Sequence, residues 1–345
     1  MMLTLKPDAE PLVSVLTPVY NGEVYLTECI ESVLAQTYHN WEYCIVNNCS
    51  TDRTLAIAEE YAKKDKRIRI HNNSNFVGCD ANGNIAFQQI SLESKYCKVV
   101  HADDWIFPEC IMKMVELAEA NPTVAIVGSY GLRNKYVSWD GLPYSTSVFS
   151  GREICRETLF GRLYVFGSPT SLLIRSDEVR ARPAFYNDAN PHCDIESCLD
   201  ILRDHDFGFV HQVLTFTREH VEAESTFSRR FGTGYLGTLE HLSKYGLIYL
   251  SKSELEQCTR HCWERYYAFL ASKVFHNKDK DFWKFQRSAL KRLGYRLSVS
   301  KVARAVLVDL CDVALNPLNT SNRIARKVTQ ILENRIRQAE AEKRS

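Results

Sequence analysis

Short apolar runs alternate with amphipathic segments over the first 130 residues of this chain. The runs at 13–17, 43–46, 68–71, 95–100 and 124–127 have the length and composition of buried strands. Between them, apolar residues recur at helical spacing over 24–35, over 51–64, from residue 78 or 79 to 89, and over 109–120. Strands that alternate with helices of this length predict βαβ units and a doubly wound, mostly parallel α/β sheet.

The pattern changes twice after this half. From residue 131 to about 227 it is irregular, with strand-like runs at 168–174 and 207–217 and a helical segment at 194–202. After Gly234 it is helical over 239–249, 253–275, 280–293 and 300–315, and again over 323–341 beyond a break at Asn316-Pro317. We therefore predict an α/β domain over 1–230, with halves at about 12–130 and 131–230, and a helical region over 231–345.

Charge is balanced overall but unevenly distributed. The 43 Lys and Arg residues against 42 Asp and Glu do not favour nucleic-acid binding. Residues 286–345 hold thirteen basic and five acidic side chains, a net +8, which leaves about −7 for the rest. This basic segment is typical either of a solvated helical tail packed on the protein or of a contact with an anionic membrane surface.

The sequence shows little sign of a membrane-spanning segment, a signal peptide or a zinc site. No apolar run approaches the roughly 18 to 20 residues that cross a bilayer, and the charged N-terminus does not resemble a signal peptide. We therefore expect a cytoplasmic protein, with a peripheral contact at the inner face of the membrane left open. The twelve cysteines form no CxxC pair, and the Cys/His groups at 192–198 and 258–262 fit free thiols better than zinc sites.

Asp103 and Asp104 stand side by side directly after an apolar run. Adjacent carboxylates at the end of a buried strand are costly unless a ligand or a helix terminus compensates them. In a parallel α/β sheet such strand ends lie at the carboxyl edge, where ligands bind. The pair indicates either a divalent cation shared with phosphate oxygens or a turn that caps the next helix.

Five motifs, in order, resemble family-2 glycosyltransferases of the GT-A fold. They are VSVLTPVYN at 13–21, SVLAQTY at 32–38, IVNNCSTD at 45–52, Asn75 with Gly78 and NGN at 82–84, and ADD at 102–104 with Pro108. The resemblance is strong over 12–130 and looser to about 220. It implies a GT-A catalytic domain and a metal-dependent, inverting enzyme of bacterial type. Such an enzyme transfers a sugar from a nucleotide-diphosphate sugar, most often a UDP-sugar, to a hydroxyl of a glycan, polysaccharide or lipid-linked acceptor. The Gln-x-x-Arg-Trp motif of processive synthases is absent, so a single addition is implied.

The resemblance also implies a nucleotide-sugar site. Tyr20 is expected to stack on a nucleobase. The family's aspartate pair after the second strand is Asn47-Asn48 here, so Asn48 is expected to meet the base as an uncharged amide. The expected nucleotide-sugar contacts are Pro18, Tyr20, Asn21, Asn48, Asn82, Asp103 and Asp104.

The family's metal motif is Asp-x-Asp, and its first aspartate is replaced by His101 here. Asp103 matches the second aspartate and is the expected metal ligand, and the resemblance implies that His220 completes the metal shell. Oxygen ligands favour Mg²⁺ or Mn²⁺ over Zn²⁺. The expected role of the cation is to neutralise the leaving diphosphate.

The family's general base is an acidic residue that opens a helix, usually the aspartate of a Glu-Asp pair. Alignment through residues 198–202 places it on Asp194, with Cys193 in the glutamate position. Asp194 is therefore the expected catalytic base and Glu196 is the reserve. The bland alternative is that either acid only favours the first turn of a helix through the helix dipole.

Two other classes of function are open. Residues 232–237 match G-x-G-x-x-G, but a dinucleotide site needs a strand before the glycines, and residues 228–231 do not form a strand pattern. A non-catalytic protein that binds nucleotide sugars or glycans is the stronger alternative, because Asn47, Asn48 and His101 replace acidic residues of the family. Retention of Asp103 and Asp194 favours the enzyme.

Overall fold

The computed structural model describes residues 10–220, 224–275 and 279–315. The chain divides into two compact units, residues 1–258 and residues 259–345. Every described strand belongs to the first unit, and the described part of the second unit is helical. The division into sequence domains at residue 230 stays a prediction.

Apolar strands form the middle of the first unit. β1 (Val13–Val19), β2 (Trp41–Asn47) and β4 (Tyr96–Val99) are buried along almost their whole length, as parallel strands are when helices cover both faces. The other elements of this half are β3 (Ile68–Asn72), α1 (Leu26–Leu34), α2 (Thr54–Lys64), α3 (Cys79–Phe87) and α4 (Cys110–Ala120). The predicted alternation of strands and helices is confirmed.

The described strands form one sheet of ten, and most of them run toward the same edge. Its remaining strands are β5 (Trp105–Ile106), β6 (Val124–Arg133), β7 (Tyr136–Ser138), β8 (Val148–Phe149), β9 (Leu172–Arg175) and β10 (Asp206–Thr217). The order is β3-β2-β1-β4-β9-β6-β10-β5, with β7 paired to β6 and β8 to β10. β9 runs antiparallel to both β4 and β6. Six strands, β1 to β4, β6 and β10, therefore run in the same direction, and their carboxyl ends share one edge.

The predicted strand at 168–174 is wrong in its first half. Residues Pro169–Ser171 form a short 3-10 turn, and only β9 pairs with its neighbours. Proline has no N–H to donate to a strand ladder, so the chain turns before the strand begins. The strand predicted at 124–127 is longer than expected and continues to Arg133.

The glycine-rich segment at 232–237 covers the junction of two helices and the first turn of the second. The helices of this half are α5 (Gly151–Leu159), α6 (Ser176–Arg180), α7 (Cys193–Ile201), α8 (Glu224–Phe231) and α9 (Thr233–Tyr249). Gly232 adopts a left-handed φ of 66° and separates α8 from α9. No strand leads into these glycines, so the dinucleotide-binding alternative is excluded.

The second unit is built from helices. α10 (Lys252–Val274) enters it from the first unit and is followed by α11 (Lys280–Arg292) and α12 (Val299–Leu315). Phe282 and Leu290 are fully buried, and the Tyr266 hydroxyl donates to Gln286 Oε1 at 2.9 Å. None of the helices in the described ranges is long and apolar enough to cross a membrane. The basic residues Arg323, Arg326, Lys327, Arg335 and Arg337 lie outside the described residues.

Candidate functional site

Polar side chains gather where β1, β2, β4 and β10 end. Tyr20 follows β1, Asn48 follows β2, Asp103 lies in the loop after β4, and His220 lies three residues after β10. Because these strands run in one direction, their loops meet at the carboxyl edge of the sheet, where α/β proteins bind ligands. The structure thus brings together residues that are far apart in the sequence.

The loop after β4 presents three possible metal ligands. Ligand atoms of His101, Asp103 and Asp104 lie within 4.8 Å of one another, and theirs is the one such group of three found in the described part of the chain. From the segment after β10, His220 Nε2 lies 2.9 Å from Asp103 Oδ2. The two expected metal ligands, Asp103 and His220, are therefore neighbours, and both are only partly buried.

Asp104 is turned into the protein. Its side chain is 3% exposed, its Oδ2 accepts the Thr170 hydroxyl at 2.7 Å, and its Oδ1 accepts the backbone N–H of Arg218 at 3.0 Å. Burial, and then the charge of Asp103, raises the pKa of Asp104 to about 6. Since both oxygens are engaged, Asp104 shapes the loop, and this geometry does not favour the direct nucleotide-sugar contact expected from the sequence.

A buried lysine lies beneath this loop. Lys98 on β4 is fully buried and donates to the backbone oxygens of Thr170 and Leu172. Burial lowers the pKa of its ammonium group. Thr170 connects the Pro169–Ser171 turn to the loop after β4, because its hydroxyl accepts the His101 N–H at 3.1 Å and donates to Asp104. Sequence reasoning missed both residues; the signal was a charged residue inside the apolar run YCKVV.

Arg218 holds the loop from the end of β10. Its Nε donates to the backbone oxygen of Asp103 at 3.0 Å, and its guanidinium pairs with Glu28 on α1. The guanidinium also lies 4.5 Å from the centroid of the Tyr25 ring. Arg218 therefore connects α1 to the loop between β4 and β5, residues 100–104, which we call the metal loop. It too was missed, because its sequence position carries no signal beyond its place just before His220.

The turn after β1 presents an exposed aromatic pair. Tyr20 and Phe76 are 49% and 60% exposed, and their ring centroids are 4.8 Å apart in an edge-to-face arrangement. Pro18 lies within β1, while Asn21 has a positive φ of 49° and accepts the Thr51 N–H through its side chain at 2.8 Å. Pro18 and Asn21 thus shape the turn that exposes Tyr20, and Phe76 is a second ring that sequence reasoning missed.

The amide of Asn48 is used inside the protein. Its Oδ1 accepts the Val77 N–H and the Asn73 side-chain amide, both at 3.0 Å, and its Nδ2 donates to the Val77 oxygen at 2.8 Å. Asn73 also donates to Asn82 Oδ1 at 2.9 Å. Asn48 and Asn82 are both buried and hold the loop between β3 and α3. Their contact with a nucleotide stays a prediction, and this geometry favours an indirect role.

Asp194 opens α7 and faces a narrow cavity lined mostly by apolar side chains, including Phe166 and Pro169. The residue is partly buried, and its Oδ1 accepts the Ile195 N–H at 2.9 Å. Burial raises the pKa of Asp194, and the nearby His192 and His101 oppose this shift. A carboxyl group with a raised pKa that lines a cavity can take a proton from a hydroxyl near neutral pH.

Glu196, the reserve base, has a different environment. It is buried, pairs with Lys244, and accepts the Asn190 side-chain amide at 2.6 Å. Although burial opposes the shift, Lys244 and Asn190 hold the pKa of Glu196 below its usual range. A carboxylate that is fixed in this way is a structural anion, so the geometry favours Asp194 over Glu196 as a base.

Sequence comparison finds a known domain in the N-terminal part of the chain. Residues 14–178 match the family model for Glycosyl transferase family 2. The chain is 33% identical over 191 residues to an uncharacterized glycosyltransferase of Haemophilus influenzae, which covers 53% of this chain and 58% of that protein. It is 31% identical over 161 residues to the putative teichuronic acid biosynthesis glycosyltransferase TuaG of Bacillus subtilis, covering 45% and 62%. The chain therefore spans less than two thirds of the length of these relatives.

Solved structures show the fold. TarS residues 1–349 from S. aureus in complex with UDP-GlcNAc align with a TM-score of 0.59 at 16% identity, over 81% of this chain and 79% of that one. The mannosyltransferase PcManGT from Pyrobaculum calidifontis, in complex with GDP-Man and Mn²⁺, aligns with a TM-score of 0.54 at 15% identity, over 91% and 84%. These likenesses and the matched domain confirm the GT-A type fold. The region predicted to be helical after residue 230 is helical where the structure describes it, at Thr233–Tyr249, Lys252–Val274, Lys280–Arg292 and Val299–Leu315.

Proposed function

We propose that this chain, which carries a Glycosyl transferase family 2 domain over residues 14–178, transfers a sugar from a nucleotide-diphosphate sugar to an acceptor hydroxyl with inversion. The observation that supports this most is the adjacency of Asp103 and His220 at the carboxyl edge of the sheet. The exposed Tyr20 and Phe76 rings at the same edge offer a surface for the base. UDP-sugars are the first donors to test, because TarS binds UDP-GlcNAc.

In the proposed reaction Asp194 acts as the general base. The acceptor oxygen bonds to the anomeric carbon, and the bond from that carbon to the diphosphate oxygen breaks with its electron pair leaving on the nucleoside diphosphate. The proton of the acceptor hydroxyl passes to the Asp194 carboxylate. Attack from the face opposite the diphosphate inverts the anomeric centre. The raised pKa of Asp194 suits this proton transfer, because an acceptor of matched basicity takes a proton most effectively.

The residues present fit a divalent cation. Asp103 and His220 would hold it, with His101 beside them, while Asp104 is occupied by Thr170 and Arg218. When bound, the cation offsets the negative charge of the leaving diphosphate. A donor set that includes imidazole nitrogen suits a transition metal better than Mg²⁺, so Mn²⁺ is the preferred candidate of the two.

The test is a donor screen that monitors nucleoside diphosphate release from UDP-, GDP- and dTDP-sugars without added acceptor. We expect release from at least one donor, support by Mn²⁺ and loss in EDTA. Asp103→Ala should lower the rate at least about 10²-fold, since it removes an electrostatic stabiliser of the leaving group. The matched control is Asp204→Ala, which removes an exposed aspartate that pairs with its neighbour Arg203.

The outcome also separates the enzyme from a non-catalytic binding protein. Calorimetry with UDP and GDP gives the affinity of the chain for the nucleotide, independent of turnover. Tight binding without release from any donor would favour the binding protein and contradict the proposal. Full activity of Asp103→Ala in EDTA would contradict the metal assignment alone.

A further inference from the structure

A second aromatic pair lies near the same edge of the sheet, outside the donor site. Trp139 follows β7, which folds back on β6, and Tyr164 lies in the segment before the Pro169–Ser171 turn. The ring centroids of Trp139 and Tyr164 are 5.6 Å apart at an interplanar angle of 64°. Nothing in the donor chemistry described above uses these two rings.

The backbone pays a conformational cost to hold Trp139. Its φ of 69° lies in the left-handed region, which is strained for a bulky residue, and such strain is concentrated at functional sites. Two glycines leave room for the indole. A Cβ at Gly131 would lie 2.7 Å from the indole Nε1, and a Cβ at Gly167 would lie 3.1 Å from Cε2. The position of this ring is therefore built into three separate residues.

The segment after Tyr164 leads to the proposed base and the metal loop. The Tyr164 hydroxyl donates to the Gly167 oxygen at 2.9 Å, while 40% of the residue stays exposed. Two residues of the following loop, Phe166 and Pro169, line the cavity that Asp194 faces, and Thr170 at its end holds Asp104.

We propose that Trp139 and Tyr164 bind the acceptor as a pyranose ring stacked against their faces, an inference that rests on the proposed function. A pyranose carries C–H groups on one face and hydroxyls around its rim, so an aromatic face buries the first and leaves the second free to react. The acceptor class is thus a carbohydrate hydroxyl.

The test measures binding, not turnover. Saturation-transfer NMR uses the full chain with UDP and Mn²⁺ and the methyl pyranosides of glucose, galactose, mannose and N-acetylglucosamine as probes. We expect saturation of ring C–H protons in at least one probe. Trp139→Leu and Tyr164→Leu should each weaken its binding at least about tenfold, and Tyr164→Phe, which keeps the ring, should retain it. The matched control is Tyr136→Leu, an aromatic of the same hairpin that is 60% exposed.

UDP affinity by calorimetry reports whether each variant retains its donor half. If Trp139→Leu does not fold, Tyr164→Leu carries the test. The proposal is overturned if no pyranoside receives saturation, or if the leucine variants bind the probe as the natural chain does. Pyranoside binding that depends on both rings, in a chain that releases no nucleoside diphosphate from any donor, would contradict the proposed function and leave this site standing.

Discussion

Asp194 and Glu196 stand two residues apart at the start of α7, yet their surroundings give them different chemistry. Burial without a fixed cation raises the pKa of Asp194. Lys244 and Asn190 hold the pKa of Glu196 below its usual range despite its burial. Environment, and not residue type, therefore decides which carboxylate can exchange a proton.

Asp194→Asn should lower the rate of transfer by about 10² to 10⁴-fold, the usual contribution of a general base, and leave UDP affinity unchanged. Steady-state kinetics and calorimetry give the two quantities. Glu196→Gln is the comparison. We expect it to lower the melting temperature, because it loses the ion pair with Lys244, and to change the rate of transfer little. An active Asp194→Asn together with an inactive Glu196→Gln would place the base on Glu196.

The pH profile is a second test of Asp194. The base acts only when ionised, so kcat/KM falls as the pH drops through its pKa. Because burial raises that pKa, the acid limb should lie above the roughly 3.9 of an exposed aspartate. The limb should disappear from the residual activity of Asp194→Asn. A profile of unchanged shape in this variant would assign the limb to another group.

At the scale of elements, the metal loop depends on a turn from another part of the chain. Thr170 in the Pro169–Ser171 turn donates to Asp104 and accepts from the His101 N–H, while Lys98 holds the same turn from β4. Because Thr170 contacts two residues of the metal loop, its hydroxyl links the rigid sheet to the ligands.

Thr170→Val keeps the shape of the side chain and removes the hydroxyl. It should cost about 1 to 3 kcal/mol of unfolding free energy, because Asp104 loses a buried partner. We also expect weaker Mn²⁺ affinity. Thr170→Ser restores the hydroxyl and should recover both. Denaturant unfolding and metal titration measure the two effects, and equal Mn²⁺ affinity in all three proteins would limit Thr170 to a role in stability.

The loop between β3 and α3 depends in the same way on Asn48. Asn48→Asp would bring a carboxylate against the Val77 backbone oxygen, which now accepts from the Asn48 amide. We expect the free energy of unfolding to fall by about 1 to 3 kcal/mol, for one lost hydrogen bond and one new repulsion, and the UDP affinity to fall as the loop is displaced. A gain in UDP affinity would instead show that residue 48 faces the base directly.

At the scale of the whole molecule, α12 carries an apolar stripe that the second unit leaves uncovered. Val299, Leu307 and Leu310 are 79%, 62% and 49% exposed and lie on one side of the helix. Val308 and Leu315, on the other side, are 61% and 78% exposed. Lys301 and Arg304 on the same helix are exposed as well. A helix that exposes both apolar side chains and cations can lie in a membrane interface.

We expect the full chain to co-sediment with vesicles that contain phosphatidylglycerol at low salt and less so at high salt, since each Lys or Arg near an anionic surface contributes about 1 kcal/mol. Leu307→Asp with Leu310→Asp should abolish this binding. Leu247→Asp, at an exposed apolar position on α9 in the first unit, is the matched control. No binding at low salt would leave the stripe and the basic segment as solvated surface.

The sequence by itself determined the alternation of strands and helices over the first 130 residues, and its resemblance to a known family implied the GT-A type fold. It also placed Asp103 after a strand and Asp194 at the start of a helix. Periodicity and strand-end carboxylates are local features, so they are visible without a partner. Element bounds were less certain; the turn at Pro169–Ser171 was predicted as strand because it leads directly into the apolar residues of β9.

Only the tertiary structure decided which polar groups can contact a ligand and which are hydrogen-bonded within the protein. Asp104 and Asn48 are closed off by Thr170 and Val77, residues far away in the sequence. Lys98, Arg218 and Phe76 gained their places in the same way, through neighbours brought by other strands. The physical reason is that burial and hydrogen bonding of a polar side chain depend on partners from distant segments, and no local pattern of residues records them.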